Sequence, residues 1–310
     1  MLLLAVTVAI GGGSVALWGQ AVYGSIYGQV TDSSGAAIAN ATITVTDVDK
    51  GTSVTGTSSS IGEYSIAHLI PDTYDITVTA PGFKGTDVKG IRVSADTSPK
   101  VDLKLNVGSA SEVVTVTGEI PQLKADRADV GAVLDEKTVS DLPNIGRNFA
   151  SLELLLPGTQ VMGWSQNNAE DAAGSPTVQI NGQHFSGVSY ELDGAANTDP
   201  ILGQIVINPP LDAVGEAKIS TAAYDAQFGQ AVAGVVTAQT KSGTNSFHGD
   251  VFDYRRTDAT EASNPFSQVT VNPITHRLIP AAKYNQFGAS FGGPIVKDKA
   301  FFFIDYQGTR

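Results

Sequence analysis

The sequence predicts a mainly β chain in three successive parts: an antiparallel β-sandwich, a small α+β domain, and a final run of alternating strands. Three observations predict it. First, 33 glycines and 14 prolines punctuate the 310 residues while only 16% of them are charged, which is the punctuation of many short strands and turns. Second, the clearest periodicity is two: Tyr74, Ile76 and Val78 alternate with Asp75, Thr77 and Thr79, so successive side chains face opposite sides of a sheet. Third, helical periodicity is confined to two short stretches, residues 135–142 and 147–156. A chain of this length holds two domains or slightly more.

In chain order, residues 1–21 form no part of the fold. They are apolar and uncharged, and Gly19-Gln20-Ala21 offers small residues at the −3 and −1 positions of a cleavage site, so the expectation is a secretory signal peptide, with a membrane anchor as the alternative. No basic residue precedes the apolar run, which points to a true start codon upstream. No other stretch approaches the roughly 18 apolar residues that a spanning helix needs.

Residues 22–107 alternate at once. Ile26, Gly28 and Val30 face one way. Ala41-Thr42-Ile43-Thr44-Val45-Thr46 is a second strand, and further strands follow at Gly62-Glu63-Tyr64-Ser65-Ile66, residues 71–80, Ile91-Arg92-Val93 and Val101-Asp102-Leu103-Lys104-Leu105. About seven strands at this spacing make a small sandwich. The motifs Gly28-Gln29-Val30-Thr31-Asp32, Gly62-Glu63-Tyr64, Leu69-Ile70-Pro71-Asp72-Thr73-Tyr74 and Ala80-Pro81-Gly82-Phe83 resemble the carboxypeptidase regulatory-like domain. That domain is a transthyretin-like sandwich with a carbohydrate-binding-like fold, used as an accessory module without peptidase activity. Asp47, Asp49 and Gly51 have half the pattern of a calcium loop, but an ordinary polar turn is the expectation.

Residues 111–118, Ser111-Glu112-Val113-Val114-Thr115-Val116-Thr117-Gly118, follow. Five β-branched residues in a row are strongly strand-prone yet too short to bury themselves. The run serves either as an interdomain linker strand or as an edge that another protein's sheet can extend through backbone hydrogen bonds.

Residues 119–243 mix the two periods. Residues 135–142 read as a helix that Pro143 ends. Residues 147–156 read as a second, with Phe149, Leu152, Leu155 and Leu156 on one face and Pro157-Gly158 stopping it. Short strands then flank Asn181-Gly182 and Asp193-Gly194, the strongest short hairpin signals. More strands are expected at Ala217-Lys218-Ile219-Ser220 and Gly234-Val235-Val236-Thr237-Ala238.

Residues 244–310 end the chain. Phe287, Ala289 and Phe291 alternate with Gln286, Gly288 and Ser290, while Phe302, Ile304 and Tyr306 align in a further strand. Apolar-out, small-or-polar-in alternation with aromatics marks a transmembrane barrel. A short turn is expected from Gly293-Pro294 to Asp298, and a long polar loop after a first strand at residues 246–255.

Leu142-Pro143-Asn144-Ile145-Gly146-Arg147-Asn148-Phe149, Ile180-Asn181-Gly182-Gln183, Leu192-Asp193-Gly194, Tyr224-Asp225-Ala226-Gln227-Phe228-Gly229 and Gly234, in that order, resemble the plug domain of TonB-dependent outer-membrane receptors. A regulatory-like domain ahead of the plug resembles the Oar-like branch. The resemblance runs from about residue 22 to the end, and it implies a TonB box at Glu112, Val113, Val114, Thr115, Val116 and Thr117. It also implies a fold ending in the first strands of an outer-membrane β-barrel. The partners it implies are the TonB C-terminal domain with its inner-membrane energising complex, outer-membrane lipid, and a small ligand such as a sugar, peptide or metal chelate. The implied location is the outer membrane, with the N-terminal domains facing the periplasm. A plugged barrel has 22 strands and residues 244–310 supply about three, so the chain is expected to be a fragment of a longer receptor.

Other chemistry is not indicated. Acidity concentrates in residues 119–243, with 6 basic and 15 acidic residues against 7 and 6 in residues 244–310, which argues against nucleic acid as a partner. With no cysteine and four scattered histidines, there is neither a disulfide framework nor an evident metal centre, and no cofactor is expected. Gly288-Ala289-Ser290-Phe291-Gly292 fits the pattern of a nucleophile elbow but lies in an alternating strand with no histidine after it. His184 sits in an expected turn. No enzyme is predicted. The alternative to a transporter is a non-transporting surface or periplasmic binding protein built on the sandwich, with residues 112–117 a mere linker.

Overall fold

The computed structural model describes residues 23–108, 128–142, 144, 146–162, 175–263, 266, 269–279 and 283–310, together with the backbone of residues 113–117. The expected signal peptide, Glu112 and the first residues of the expected plug lie outside the described residues.

Eight strands build the N-terminal part: β1 (Gly24–Asp32), β2 (Thr42–Asp47), β3 (Ser53–Thr57), β4 (Glu63–Leu69), β5 (Asp72–Thr79), β6 (Gly85–Val93), β7 (Leu103–Leu105) and β8 (Val113–Thr117). They form two sheets, ordered β4-β1-β7 and β3-β2-β5-β6-β8. The expected alternation is realised: Ile26, Val30, Ile43, Val45, Ile76 and Val78 are all fully buried between the sheets. Gly28 has no room for a side chain, since a Cβ there would sit 2.0 Å from the Val101 carbonyl oxygen.

Two pairings depart from the antiparallel expectation. β1–β7 and β6–β8 are parallel. β7 belongs to the opposite sheet from β6 and β8, so the chain crosses the sandwich and returns. Such a crossover brings strands together in the same direction, where a tight hairpin cannot.

The middle part holds β9 (Val130–Asp135), α1 (Glu136–Asp141), β10 (Thr159–Val161), β11 (Val178–Ile180), β12 (Val188–Leu192), β13 (Ala195–Ala196), β14 (Val214–Ala222) and β15 (Gly234–Thr240). Five of its strands form a mixed sheet, β13-β12-β15-β14-β9, and β10 pairs with β11 apart from it. Asp135 caps α1, its carboxylate accepting the Thr138 N–H at 2.8 Å. The second expected helix is shorter and tighter than its periodicity suggested: a 3-10 helix over Phe149–Leu155, capped by the Asn148 side chain. Arg147 cannot start it because its φ is +50°, the left-handed region. Phe149, Leu152 and Leu156 are buried as expected, whereas Leu155 is exposed and Glu153 takes the inward place. The inward face follows i, i+3, i+4 and i+7 from Phe149 and so passes over Leu155. Asn181-Gly182 and Asp193-Gly194 both adopt positive φ at both residues, and the latter joins β12 to β13 with Leu192 opposite Ala195, the hairpin geometry such pairs favour.

Three strands end the chain: β16 (Val251–Thr257), β17 (Lys283–Val296) and β18 (Ala300–Thr309), in the order β16-β17-β18. Phe287, Phe291, Ile304 and Tyr306 are exposed on one face, while Gln286 and Ser290 are buried on the other. Register puts Phe291 beside Ile304 and Ala289 beside Tyr306. β16 places Val251, Asp253 and Arg255 on that same face, so β17 and β18 carry the apolar band. The sheet is open. The turn expected from Gly293 starts later, since β17 runs through Pro294 to Val296. Pro294 pairs with Phe301 beside a register shift, and on its other side the backbone pairing ends at the His248–Gly292 bridge. With no β16 partner awaiting an N–H there, proline is tolerated.

Candidate functional site: the edge strand and the seam beneath it

Five of the six residues expected to bind a partner, Val113, Val114, Thr115, Val116 and Thr117, form β8; the sixth, Glu112, is outside the described residues. β8 runs parallel to β6 in unbroken register, from Gly85 opposite Val113 to Lys89 opposite Thr117. It ends the strand order of its sheet. Its β-branched residues favour the extended backbone that this pairing requires, and β6 offers a row of N–H and C=O groups to satisfy it. Gly85, Thr86 and Val88 of β6 are buried along this stretch.

The far end of β6 is tied to the middle domain. Just beyond it the Ala95 N–H donates to the Glu216 carboxylate at 2.7 Å, and Arg92 approaches the same carboxylate at 3.5 Å. The Lys218 ammonium donates to the Asp96 carboxylate at 2.5 Å and to its backbone carbonyl at 3.1 Å, and lies 3.3 Å from Asp129. Glu216 and Lys218 are both 3% exposed on β14. Buried charges persist only where they are paired and hydrogen-bonded, and this seam pairs them across two domains. A third tie lies nearby. The Asn245 N–H donates to the Asp49 carbonyl at 3.1 Å, and its side chain exchanges two hydrogen bonds with Asp298, at 2.7 and 2.9 Å, in the turn between β17 and β18.

Sequence reasoning missed this seam. The available signal was Glu216 and Lys218 alternating along β14 with the apolar Ala217 and Ile219. A strand patterned that way reads as having one solvated face, yet here both faces are buried.

The other singled-out residues have ordinary partners. The Asp47 carboxylate accepts the N–H groups of Asp49 and Lys50 at 3.0 and 2.7 Å, and Lys50 also pairs with Asp72. That is a polar turn. Burial outweighs these bonds and raises the Asp47 carboxyl above its ordinary range. His184 caps a one-turn 3-10 helix, its Nδ1 2.8 Å from the Ser186 hydroxyl. The Ser290 hydroxyl accepts the Asp250 N–H at 3.2 Å just beyond the end of the β16–β17 ladder. Among the described residues no group of three side chains is arranged to hold a metal ion. A polar cleft of about 410 Å³ opens beside the seam, lined by Tyr23, His68, Asp96, Glu191 and Asp225 among others. Burial and then the Asp96 charge push Glu191 upward there.

A second cluster joins the middle domain to the last strands. The Arg147 guanidinium donates to the Asp212 carboxylate at 2.7 Å and stacks over Tyr254 at 3.8 Å from the ring centroid. The Tyr284 hydroxyl donates to the Gly146 carbonyl at 3.3 Å. Arg147 lies in one of the motifs that carried the resemblance to the plug, and the guanidinium–aromatic contact is of the attractive kind expected for arginine.

Residues 25–106 match the carboxypeptidase regulatory-like domain, and residues 239–310 match an outer membrane β-barrel domain. The TonB-dependent transporter Oar of Myxococcus xanthus is 28% identical over 313 residues, covering 95% of this chain. Along nearly its whole length the chain resembles a TonB-dependent transporter. It spans 28% of the length of that relative. Among solved structures, the siderophore receptor PirA of Acinetobacter baumannii is 21% identical over 58% of this chain and 24% of its own, with a TM-score of 0.41. A variant of the ferric enterobactin receptor PfeA of Pseudomonas aeruginosa is 16% identical over 54% of this chain and 22% of its own, with a TM-score of 0.38. Structural likeness at these scores decides nothing about this chain. The matched barrel domain and the Oar relative place the chain in an outer membrane.

Proposed function

We propose that the chain is the N-terminal part of a TonB-dependent transporter. In this reading residues 119–243 are its plug, and β8, with Glu112, is the strand that the TonB C-terminal domain grips. The similarity to Oar over 95% of the chain carries it. The position of β8 supports it: a strand at the end of its sheet order is what strand addition uses. Energy from the inner membrane arrives as a pull on that strand and remodels the plug, admitting a small ligand from the sugar, peptide or metal-chelate classes. The match of residues 239–310 to a barrel domain favours this over a non-transporting binding protein.

The test is Val114→Pro in the complete receptor. Proline removes one backbone donor and resists pairing. Cross-linking to TonB and energised uptake should both fall at least tenfold, while the receptor still needs detergent for extraction. Unchanged cross-linking would remove β8 from the partner site.

A further inference from the structure

We propose that β8 stays on β6 when its partner binds. The partner strand adds to the outer edge of β8, so that sandwich, β8 and partner form one continuous sheet. This rests on the reading of β8 as the TonB-binding strand and says how that strand is presented.

Topology supplies the first reason. β8 has two backbone edges. One is occupied by β6 over five consecutive residues without a register shift, and no strand occupies the other among the described residues. A strand that adds to the outer edge meets unpaired N–H and C=O groups and breaks nothing. A strand that replaced β6 would strip the ladder from Gly85 to Lys89, where Gly85, Thr86 and Val88 are buried. Those backbone groups would then need new partners.

The second reason is that β6 is anchored. Its C-terminal end leads into the Arg92–Glu216, Ala95–Glu216 and Asp96–Lys218 contacts on β14. Its N-terminal end is held by the Thr86 hydroxyl, which donates to the Lys104 carbonyl at 3.2 Å. β6 is therefore poorly placed to swing aside and release β8. The sandwich is fixed to the middle domain and holds the strand in extended form before any partner arrives.

Along a strand, successive residues direct their backbone groups to alternate edges. Val113, Thr115 and Thr117 therefore serve one edge, and Val114 and Val116 the other. Amide-resolved hydrogen exchange on the 310-residue chain, with and without the purified periplasmic C-terminal domain of TonB, reads both edges at once. In the free chain one set should exchange slowly. On saturation with TonB that set should be unchanged, and the other should slow by at least tenfold. Acceleration of the first set on binding would mean displacement from β6, overturning the proposal while leaving β8 as the partner site. A complex in which neither set changes would instead overturn the site itself. Both sets slow in the free chain, in a concentration-dependent way, would assign the outer edge to a second copy.

A second arm fixes the inner edge chemically. Lys89 and Thr117 are directly paired, with Lys89 exposed. In Lys89→Cys/Thr117→Cys the TonB Kd should agree within twofold between oxidised and reduced forms. A loss above tenfold on oxidation would show that β8 has to leave β6.

Discussion

Glu153 is the least comfortable residue in the middle domain. It is fully buried on the 3-10 helix, and neither of its carboxyl oxygens has a hydrogen bond of good geometry. Burial pushes its pKa up to about 8, an effect that interaction with Tyr190 only partly offsets. The unfolded chain releases this proton near the ordinary value of 4.5, while the folded chain holds it to about 8. Between those values the folded state binds more protons, so stability is greatest below the lower value and falls as pH rises through the upper one. With one pKa unit worth about 1.4 kcal/mol, the whole effect is on the order of 4–5 kcal/mol. Hydrogen exchange of the β12 and β15 amides, corrected for intrinsic rates, should show that loss between pH 5 and pH 9. Glu153→Gln should flatten the dependence. A slope that survives Glu153→Gln would assign it to another group. The loss falls on the domain expected to be remodelled, so this carboxyl makes that domain less stable at neutral pH than at pH 5.

At the scale of elements, the last strands make the sharpest claim. Ile304 and Phe291 stand side by side on the exposed face of β17 and β18. In a barrel wall Ile304→Lys would cost about 2–4 kcal/mol near the bilayer midplane. Asp305→Lys, on the opposite face of the same strand, should cost far less. The yield of heat-resistant, detergent-folded complete receptor measures the difference, and equal losses would refute the assignment of faces. This alternation was legible in the sequence because it is local: adjacent side chains decide it. The hairpin at Asp193-Gly194 and the tight turn at Asn181-Gly182 were legible for the same reason, although the latter joins no pair of strands: β11 pairs with β10 instead. Partner choice was not legible. Nothing in Val113-Val114-Thr115-Val116-Thr117 says that it lies beside Gly85–Lys89, because the crossover through β7 decides that. Nor did Glu216 and Lys218 announce that their face of β14 is covered, since the cover arrives from residues 92–96 of another domain. Helical periodicity at residues 147–156 misled by ignoring Arg147, whose left-handed backbone delays the helix start.

At the scale of the molecule, the sandwich acts as a bracket. It is tied to β14 by the buried Lys218–Asp96 pair and the contacts to Glu216, and to the β17–β18 turn through Asn245 and Asp298, and it carries β8 on its sheet edge. A short strand on a free linker must lose backbone entropy on meeting its partner, about 1–2 kcal/mol for each residue fixed. Strand residues already held by β6 have lost it beforehand, and such preorganisation strengthens binding. Deleting residues 23–107 from the complete receptor, while keeping residues 108–127, should therefore weaken TonB binding by tenfold or more, read as Kd by calorimetry. If the sandwich instead masked the strand, the same deletion would tighten binding, because competition from β6 would be gone. The two roles thus predict opposite signs for a single variant. Adding the isolated sandwich back in trans should leave the deleted form weak, since the sandwich then has to find both β8 and the β14 seam without a covalent tether.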